Sequence, residues 1–571
     1  MKKLTIADYI QKTEERFSEI RATIRKIRNN QILGFDRSSI PNIVDIRPGY
    51  KIINGILDPN RKALVFLVSQ KTPLENLEPR QRIPEIINGI LTDVSPISPF
   101  EQVRYSQLDT SSSLIPNSAM DPGFLLDSDK FDFSGLVSNT GRIPQISYVP
   151  PPDIQLNEVN EEMTLICHVS PEEGWNQLKT FLEGVDSEFT MGMYDFSAPH
   201  IGDAMVGIAS RDIPFTLVYD GKPPAGVGKP GNKLNDKTED EIIAEVNSKA
   251  QSSFVHEKAS LNKGGLWANA YHIKVAVDHS NRFWLSSGNW QSSNQPIIDP
   301  QEDFKTYLKN NNREWHIIIS NPSLAKIYHD FLQYDFVQSK AKNEGQGLLP
   351  MDMANSQDYL LVQNDLVDLN ATPIQKFPAK VFEFNQGNKL RIQPLLTPDN
   401  YLPQIIPLLE NAKSKIHFQN QYIHITNTSS DSYTQLLTTL LNKSKELECK
   451  IILRNEGNVR LMVENLVNFG FDPGIIRIQN NCHNKGIILD DEILVLGSHN
   501  YSNYGVEWNR DASLIIYDKE IAAYYSSVYQ FDWDHLAVNK VPESSTQTGE
   551  TTDGLLAAGN QRIANYESLF D

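Results

Sequence analysis

The chain has 571 residues, 40% of them hydrophobic, with a formal net charge of −18. That length holds about three domains of ordinary core content, and the charge opposes broad binding to polyanions, which needs clustered Lys and Arg. Three cysteines, Cys167, Cys449 and Cys482, are too few for a disulfide framework.

In chain order, Met1-Lys-Lys begins like a secretory signal, but no apolar run follows, and no stretch is long enough to span a bilayer. These absences lead to the expectation of a cytoplasmic protein, monomeric or loosely associated, without an integral membrane segment. Residues 1–34 read as an amphipathic helix, with Thr5 capping, Asp8 in the first turn, and Ile6, Ile10, Phe17, Ile20, Ile24 and Ile27 along one stripe. Val44 to Arg47, Lys51 to Leu57 and Ala63 to Gln70 read as strands, with Asp58-Pro-Asn60 turning between the last two. This N-terminal unit carries no evident chemistry and is a candidate surface for a protein partner. A stretch rich in Ser, Pro, Asn and Asp follows, then Ser170-Pro171-Glu172, which is expected to start a helix with an N-cap hydroxyl and a first-turn proline. Thr397-Pro398-Asp399 repeats that pattern, and each is followed by an apolar strand, Phe189 to Phe196 or Ile416 to Ile423. Gly226-Val-Gly228-Lys-Pro-Gly231 fits a dinucleotide fingerprint on paper, but its proline and the lack of a following helix make it a candidate lid loop instead. Pro542 to Gly554 reads as a disordered tail, with a last helix possible over Leu555 to Phe570.

The chemistry lies in two modules. His272-Ile-Lys274 is followed by Ser287-Gly-Asn289, and His483-Asn-Lys485 by Ser498-His-Asn500, with fifteen residues from His to Ser in both. On a strand, His and Lys two apart project from one face. Displacement at phosphorus needs a nucleophile, an acid for the leaving oxygen, and fixed positive charge around the non-bridging oxygens; two imidazoles, two ammonium groups and two amides supply these without a metal or cofactor. A third His256-Glu-Lys258 lacks the downstream Ser-x-Asn and reads as an ordinary loop pair. The modules sit in a longer repeat. Asn312-Arg313-Glu314 through Phe336 aligns without a gap on Asn509-Arg510-Asp511 through Trp533, pairing Ile318 with Ile515, Tyr328 with Tyr525 and Asp335 with Asp532.

This pattern resembles the phospholipase D superfamily, whose element is His-x-Lys-x4-Asp followed by Gly-Ser-x-Asn. His483, Lys485, Asp490, Gly497, Ser498 and Asn500 match fully, whereas the first copy has His279 at the acidic position, Asp278 one residue early, and Ser286 for the glycine. The resemblance implies an α/β fold of two pseudo-twofold-related sandwich halves with a small N-terminal accessory domain. The expected division is 1–100 (helix plus small α+β unit), 101–160 (linker or irregular wrap), 161–340 (first half), 341–377 (linker between halves), 378–540 (second half) and 541–571 (flexible tail). It implies catalysis by His272, Lys274, His483, Lys485 and Asp490, with His272 as nucleophile forming a phosphohistidine and His483 as acid and base. Ser287, Asn289, Ser498 and Asn500 are expected to bind phosphate and Glu314 and Asp511 to orient the imidazoles; either Asp278 stands in for the displaced acid, or that role is lost in the first half. The expected activity is metal-independent phosphodiester hydrolysis on phospholipid headgroups. The alternatives are a cytoplasmic nuclease acting on DNA or RNA and a catalytically silent interaction protein.

Overall fold

The computed structural model describes residues 4–32, 35, 40, 42–69, 71–97, 146–221, 236–250, 252–261, 265–267, 270–279, 281–346, 366–425, 429–455 and 459–541. The candidate lid, the tail and its last helix lie outside these residues.

Helix α1 (Ile6–Arg28) starts at a reciprocal capping box, Thr5 with Asp8, and buries Phe17, Ile20, Ile24 and Ile27. A four-stranded sheet follows: β1 (Ile43–Ile53), β2 (Ile56–Val68), β3 (Ile86–Ile87) and β4 (Ile90–Pro96), in the order β1-β2-β4-β3. The hairpin turn is Asn54-Gly55, both at positive φ, and Asp58-Pro-Asn60 lies within β2. The Asn-Gly pair takes the left-handed conformation whose twist matches the strands on either side, so it outcompetes the proline-containing turn expected downstream. Asn88-Gly89 makes the same turn between β3 and β4.

The chain then forms β5 (Val159–Glu161), β6 (Met163–Ser170), α2 (Gly174–Glu183), β7 (Phe189–Met193), α3 (Pro199–Ala209), β8 (Phe215–Tyr219), α4 (Glu239–Asn247), β9 (Phe254–Lys258), β10 (Lys274–Asp278), β11 (Arg282–Ser286), α5 (Phe304–Asn310), β12 (Glu314–Ser320) and α6 (Pro322–Gln346). It continues with β13 (Lys380–Phe384), β14 (Leu390–Leu396), α7 (Tyr401–Glu410), β15 (Lys415–Asn420), α8 (Asp431–Glu446), β16 (Glu448–Arg454), α9 (Val459–Phe469), β17 (Ile476–Gln479), β18 (Lys485–Leu489), β19 (Ile493–Gly497), β20 (Ala512–Tyr517), α10 (Lys519–Phe531) and β21 (Ala537–Val538). The fold is mixed α/β. One sheet runs β13-β6-β12-β11-β10-β7-β8-β9, the other β21-β17-β16-β15-β18-β19-β20-β14-β5. In each, three parallel strands (β7-β8-β9 and β15-β16-β17) join an antiparallel group. Parallel strands such as Phe189–Met193 and Phe215–Tyr219 are buried throughout, as strands covered on both faces must be.

Each large sheet borrows an edge strand. β13 pairs with β6 in the first sheet although it follows the expected linker, and β5, ahead of the first half, pairs with β14 in the second. The expected boundaries near 340, 378 and 160 therefore do not coincide with sheet membership, because hydrogen-bonding edges recruit whatever strand lies beside them. One apolar cluster joins the inner faces of both sheets, with Leu165, Val275, Leu285 and Ile317 from the first and Ile488, Leu494, Leu496 and Leu514 from the second; Tyr328 of α6 and Tyr525 of α10 belong to it. Outer helices cover the far faces, with Leu178, Ile201 and Met205 on one side and Ile405, Leu437 and Leu466 on the other.

The helices expected to begin at Ser170 and Thr397 begin later, at Gly174 and Tyr401. Ser170-Pro171 and Thr397-Pro398 are both cis. Their acidic followers, Glu172 and Asp399, bind the buried guanidinium groups of Arg313 and Arg510, at 2.7 and 2.6 Å. Charge pairing across the core has taken these carboxylates in place of a helix dipole.

Candidate active site

β10 and β18 carry the two modules, and the hairpin partners β11 and β19 bring Asn289 and Asn500 to the same end. His272, Lys274, His483 and Lys485 are all buried. His272 Nδ1 lies 2.7 Å from Asp511 Oδ1, and His483 Nδ1 hydrogen-bonds Glu314 Oε1. Each imidazole thus takes its carboxylate from the other large sheet's module. The backbone makes the same crossing: the His483 and Asn484 amides donate to Arg313 O, and the Arg510 amide donates to Ala270 O. Lys485 Nζ is 3.2 Å from His483 Nε2 and 3.4 Å from Ser287 O; Lys274 Nζ donates to His272 O at 2.7 Å and sits 4.8 Å from the Tyr194 ring centroid.

Ser287 and Ser498 have a different place from the one expected. Ser287 Oγ donates to Glu314 Oε2 and Ser498 Oγ to Asp511 Oδ1, both at 2.6 Å, and each accepts the amide of Trp315 or Ala512. A hydroxyl has one proton to give, and here it goes to the carboxylate rather than to a phosphate. Among the described residues the side-chain amides of Asn289 and Asn500 make long contacts, 3.5 Å to Gln291 Oε1 and 3.4 Å to Gln421 Oε1.

Burial alone would raise the pKa of Glu314, but the charge and hydrogen bond of His483, Lys485 and Ser287 more than offset it and hold the carboxyl at about 2. Asp511 is lowered by His272 in the same way, again against burial. A folded-state pKa below the unfolded value contributes stability that is fully present above the unfolded pKa and fades as pH falls toward about 2. Glu314→Gln is therefore expected to flatten the acid limb of the stability–pH curve below about pH 4.5, read from urea midpoints. An unchanged limb would mean that the carboxylate is not ionised in the fold.

Asp490 was expected among the reacting groups, and the structure separates it from them. It follows β18 at the end opposite Lys485, and its carboxylate accepts the backbone amides of Lys413, Ser414 and Lys415 at 2.7 to 3.1 Å. Asp278 likewise lies at the far end of β10, bound to Arg282 at 2.5 Å, and does not reach the histidines. Asp490→Asn is expected to cost about 1–2 kcal/mol in stability through weakened charge-assisted hydrogen bonds, with turnover retained; loss of turnover at unchanged melting temperature would return Asp490 to the reacting group. Cys482, which its place beside His483 marks as open to oxidation or alkylation, is fully buried, and burial pushes its thiol pKa well up. It is protected, because the thiolate is the reactive form.

Two Ser–His pairs escaped sequence reasoning. In the first half Ser286 Oγ is 2.6 Å from His316 Nδ1, and His316 Nε2 is 2.8 Å from Ser170 Oγ. In the second, Ser513 Oγ is 2.6 Å from His499 Nδ1, and His499 Nε2 is 3.0 Å from Thr397 Oγ1. The serine and histidine have exchanged strands between the halves. A Cβ on Gly497 would meet Ser513 Oγ at 2.0 Å, and one on Gly288 would meet Glu314 Cγ at 2.7 Å, so each half keeps glycine where the other has its Ser or His. The signal was the Ser286-for-Gly497 departure itself. Burial lowers the pKa of His316 to about 4 and of His499 to about 3, so both link their elements as neutral rings. Asn294, also unforeseen, hydrogen-bonds Glu314 beside His483.

Residues 405–533 match a family model described as the PLD-like domain of cardiolipin synthase. Among solved structures, the chain is similar to phosphatidylserine synthase from Haemophilus influenzae Rd KW20, at 13% identity over 70% of this chain and 94% of that one, with a TM-score of 0.44. The phospholipase D family member Nuc from Salmonella typhimurium matches at 19% identity over 25% of this chain and 95% of its own, with a TM-score of 0.22. NucT from Helicobacter pylori matches at 18% identity over 26% and 98%, with a TM-score of 0.21. No curated protein sequence matches the chain. The segment that carries the second module, His483 to Asn500, thus lies inside a region similar to a PLD-like domain. Among the described residues no helix is long and apolar enough to cross a membrane.

Proposed function

We propose that this protein is a metal-independent phosphodiesterase that hydrolyses phospholipid headgroup esters through a phosphohistidine. The observation that carries the reading is the pair of buried imidazoles, each held at Nδ1 by a carboxylate from the opposite half. With Nδ1 occupied, chemistry falls to Nε2. His272 Nε2 attacks phosphorus, and His483, hydrogen-bonded to Glu314, gives a proton to the departing alkoxide oxygen. His483 then takes a proton from water, whose oxygen displaces His272 and leaves a phosphate monoester. Lys274, Lys485 and the amides of Asn289 and Asn500 face the phosphoryl oxygens; the long contacts of the two amides are easily exchanged for a ligand.

The two large sheets are proposed as halves related by a pseudo-twofold axis, supported by their shared strand order and by reciprocal contacts: Tyr328 hydroxyl to Ser513 O, and Tyr525 hydroxyl to His316 O. The N-terminal helix and sheet are proposed as an accessory unit on the second half, supported by the buried Arg47–Glu464 pair and the tilted ring contact of Tyr9 with Phe469. The charge of −18 supports a lipid rather than a nucleic-acid substrate. The test is hydrolysis in EDTA of phosphatidylcholine vesicles and of single- and double-stranded DNA in parallel, with His483→Ala as the blank. Headgroup release that depends on His483 supports the reading, while DNA cleavage with the same dependence replaces it with a nuclease.

A further inference from the structure

Far from the His–Lys modules, the first half gathers three side chains with metal-ligating atoms. Glu188 stands just before β7, His279 in the β10–β11 turn and His329 in α6. Glu188 Oε1 is 3.2 Å from His329 Nε2, and Glu188 Oε2 is 3.6 Å from His279 Nδ1. All three ligand atoms fall within 4.8 Å of one another, and the two rings meet edge to face with centroids 5.1 Å apart. We propose that Glu188, His279 and His329 bind a first-row divalent metal of the zinc type, which ties the β10–β11 turn and the start of β7 to α6.

The distances fit. A tetrahedral ion with bonds of about 2.0–2.2 Å sets its ligands roughly 3.3–3.6 Å apart, close to both measured separations. His279 is 58% exposed at its side chain, so the small ring movement that completes the triangle meets little packing. Two imidazoles and one carboxylate suit zinc, cobalt or nickel, whereas magnesium and calcium take oxygen ligands. The surroundings resemble those of a built site. His329 Nδ1 is 3.1 Å from Asp330 Oδ1, which fixes the tautomer that directs Nε2 at Glu188. Glu188 Oε1 also accepts from Gln333 Nε2, and that amide is 3.1 Å from Thr190 Oγ1. Solvent on the His279 side supplies the remaining coordination position.

This site also accounts for the departure of the first module from its own repeat. His279 stands where the second half has Asp490: its amide donates to Glu188 O at 2.9 Å, as the Asp490 amide donates to Lys415 O at 3.0 Å. In the second half the Asp490 carboxylate joins the two turns by accepting three backbone amides. An imidazole cannot accept three amides, and in the first half a shared metal makes the equivalent tie. Seven residues of extended chain, about 23 Å, separate His279 from His272, so the ion has no part in the phosphoryl chemistry.

The test uses the full chain, stripped with EDTA and dialysed, titrated with Zn²⁺ by calorimetry and with Co²⁺ by visible absorption. One equivalent is expected, with a rise in melting temperature, and His279→Ala, His329→Ala and Glu188→Gln are each expected to weaken binding by at least about tenfold. His279→Ala changes an exposed turn side chain, so it remains informative if His329→Ala folds poorly. Undiminished binding in His279→Ala and Glu188→Gln would overturn the proposal, as would no binding by the parent chain. An equivalent of zinc lost in His272→Ala but kept in these variants would place the metal at the His–Lys modules instead, with the same consequence.

Discussion

His272→Ala and His483→Ala are each expected to reduce phosphodiester turnover by at least about 10³-fold, with melting temperatures close to that of the parent chain. A large effect is expected because the proposed mechanism gives the two rings different work, and the neighbouring described histidines are otherwise engaged. The flanking histidines, His316 and His499, are committed to serine and threonine hydroxyls, and burial keeps them neutral. The two variants are expected to differ under acid quench: His483→Ala retains phosphate on His272 with substrates whose leaving group needs no proton, whereas His272→Ala traps none. Trapping only in His272→Ala would reverse the two roles. Substantial turnover in either variant would remove the two-histidine mechanism altogether.

The second large effect falls on stability. Arg510 is fully buried, with Nη2 2.7 Å and Nε 2.8 Å from the Asp335 carboxylate and Nη1 2.6 Å from Asp399. Its guanidinium lies 4.9 Å from the ring centroids of both Tyr148 and Trp267. Burial pushes Asp335 up to about 6, with Arg510 opposing the rise. Arg510→Met preserves the stem but strands two buried carboxylates, at an expected cost of about 3–5 kcal/mol. Urea denaturation at neutral pH reads this as a shifted midpoint with unchanged slope. Adding Asp335→Asn should recover part of the loss, since the neutral amide has no charge to strand; a double variant no more stable than Arg510→Met would locate the damage in lost ring packing rather than in charge. Arg313, held by Glu172 and by Asp532 across the two sheets, is expected to behave alike.

Much of the site was legible because its spacing is local. His272 and Lys274, or His483 and Lys485, share a strand face by the period of two, and the Asn of each module follows across a short hairpin. The repeat from Asn312 to Phe336 marked Glu314 with Asp511 and Asp335 with Asp532 as equivalents before any contact was known. Legibility failed where a nearby pattern competed with a distant partner. Ser170-Pro171-Glu172 looks like a helix start, yet Glu172 answers to Arg313, which is 141 residues away. Ser287 and Ser498 look like phosphate ligands, yet their protons belong to Glu314 and Asp511. Asp490 reads as part of a reacting motif, yet the far end of β18 places it on three backbone amides.

By itself, then, the sequence determined the chemical inventory, its duplication and the face of each strand that carries it, because side-chain alternation and hairpin length act over a few residues. Only the tertiary structure decided that His272 pairs with Asp511 and His483 with Glu314, and that β5 and β13 cross to the opposite sheet. Those choices depend on how two amphipathic sheets stack. Burying their inner faces in one apolar core brings together carboxylates and imidazoles 239 and 169 residues apart, a relation that no local periodicity encodes.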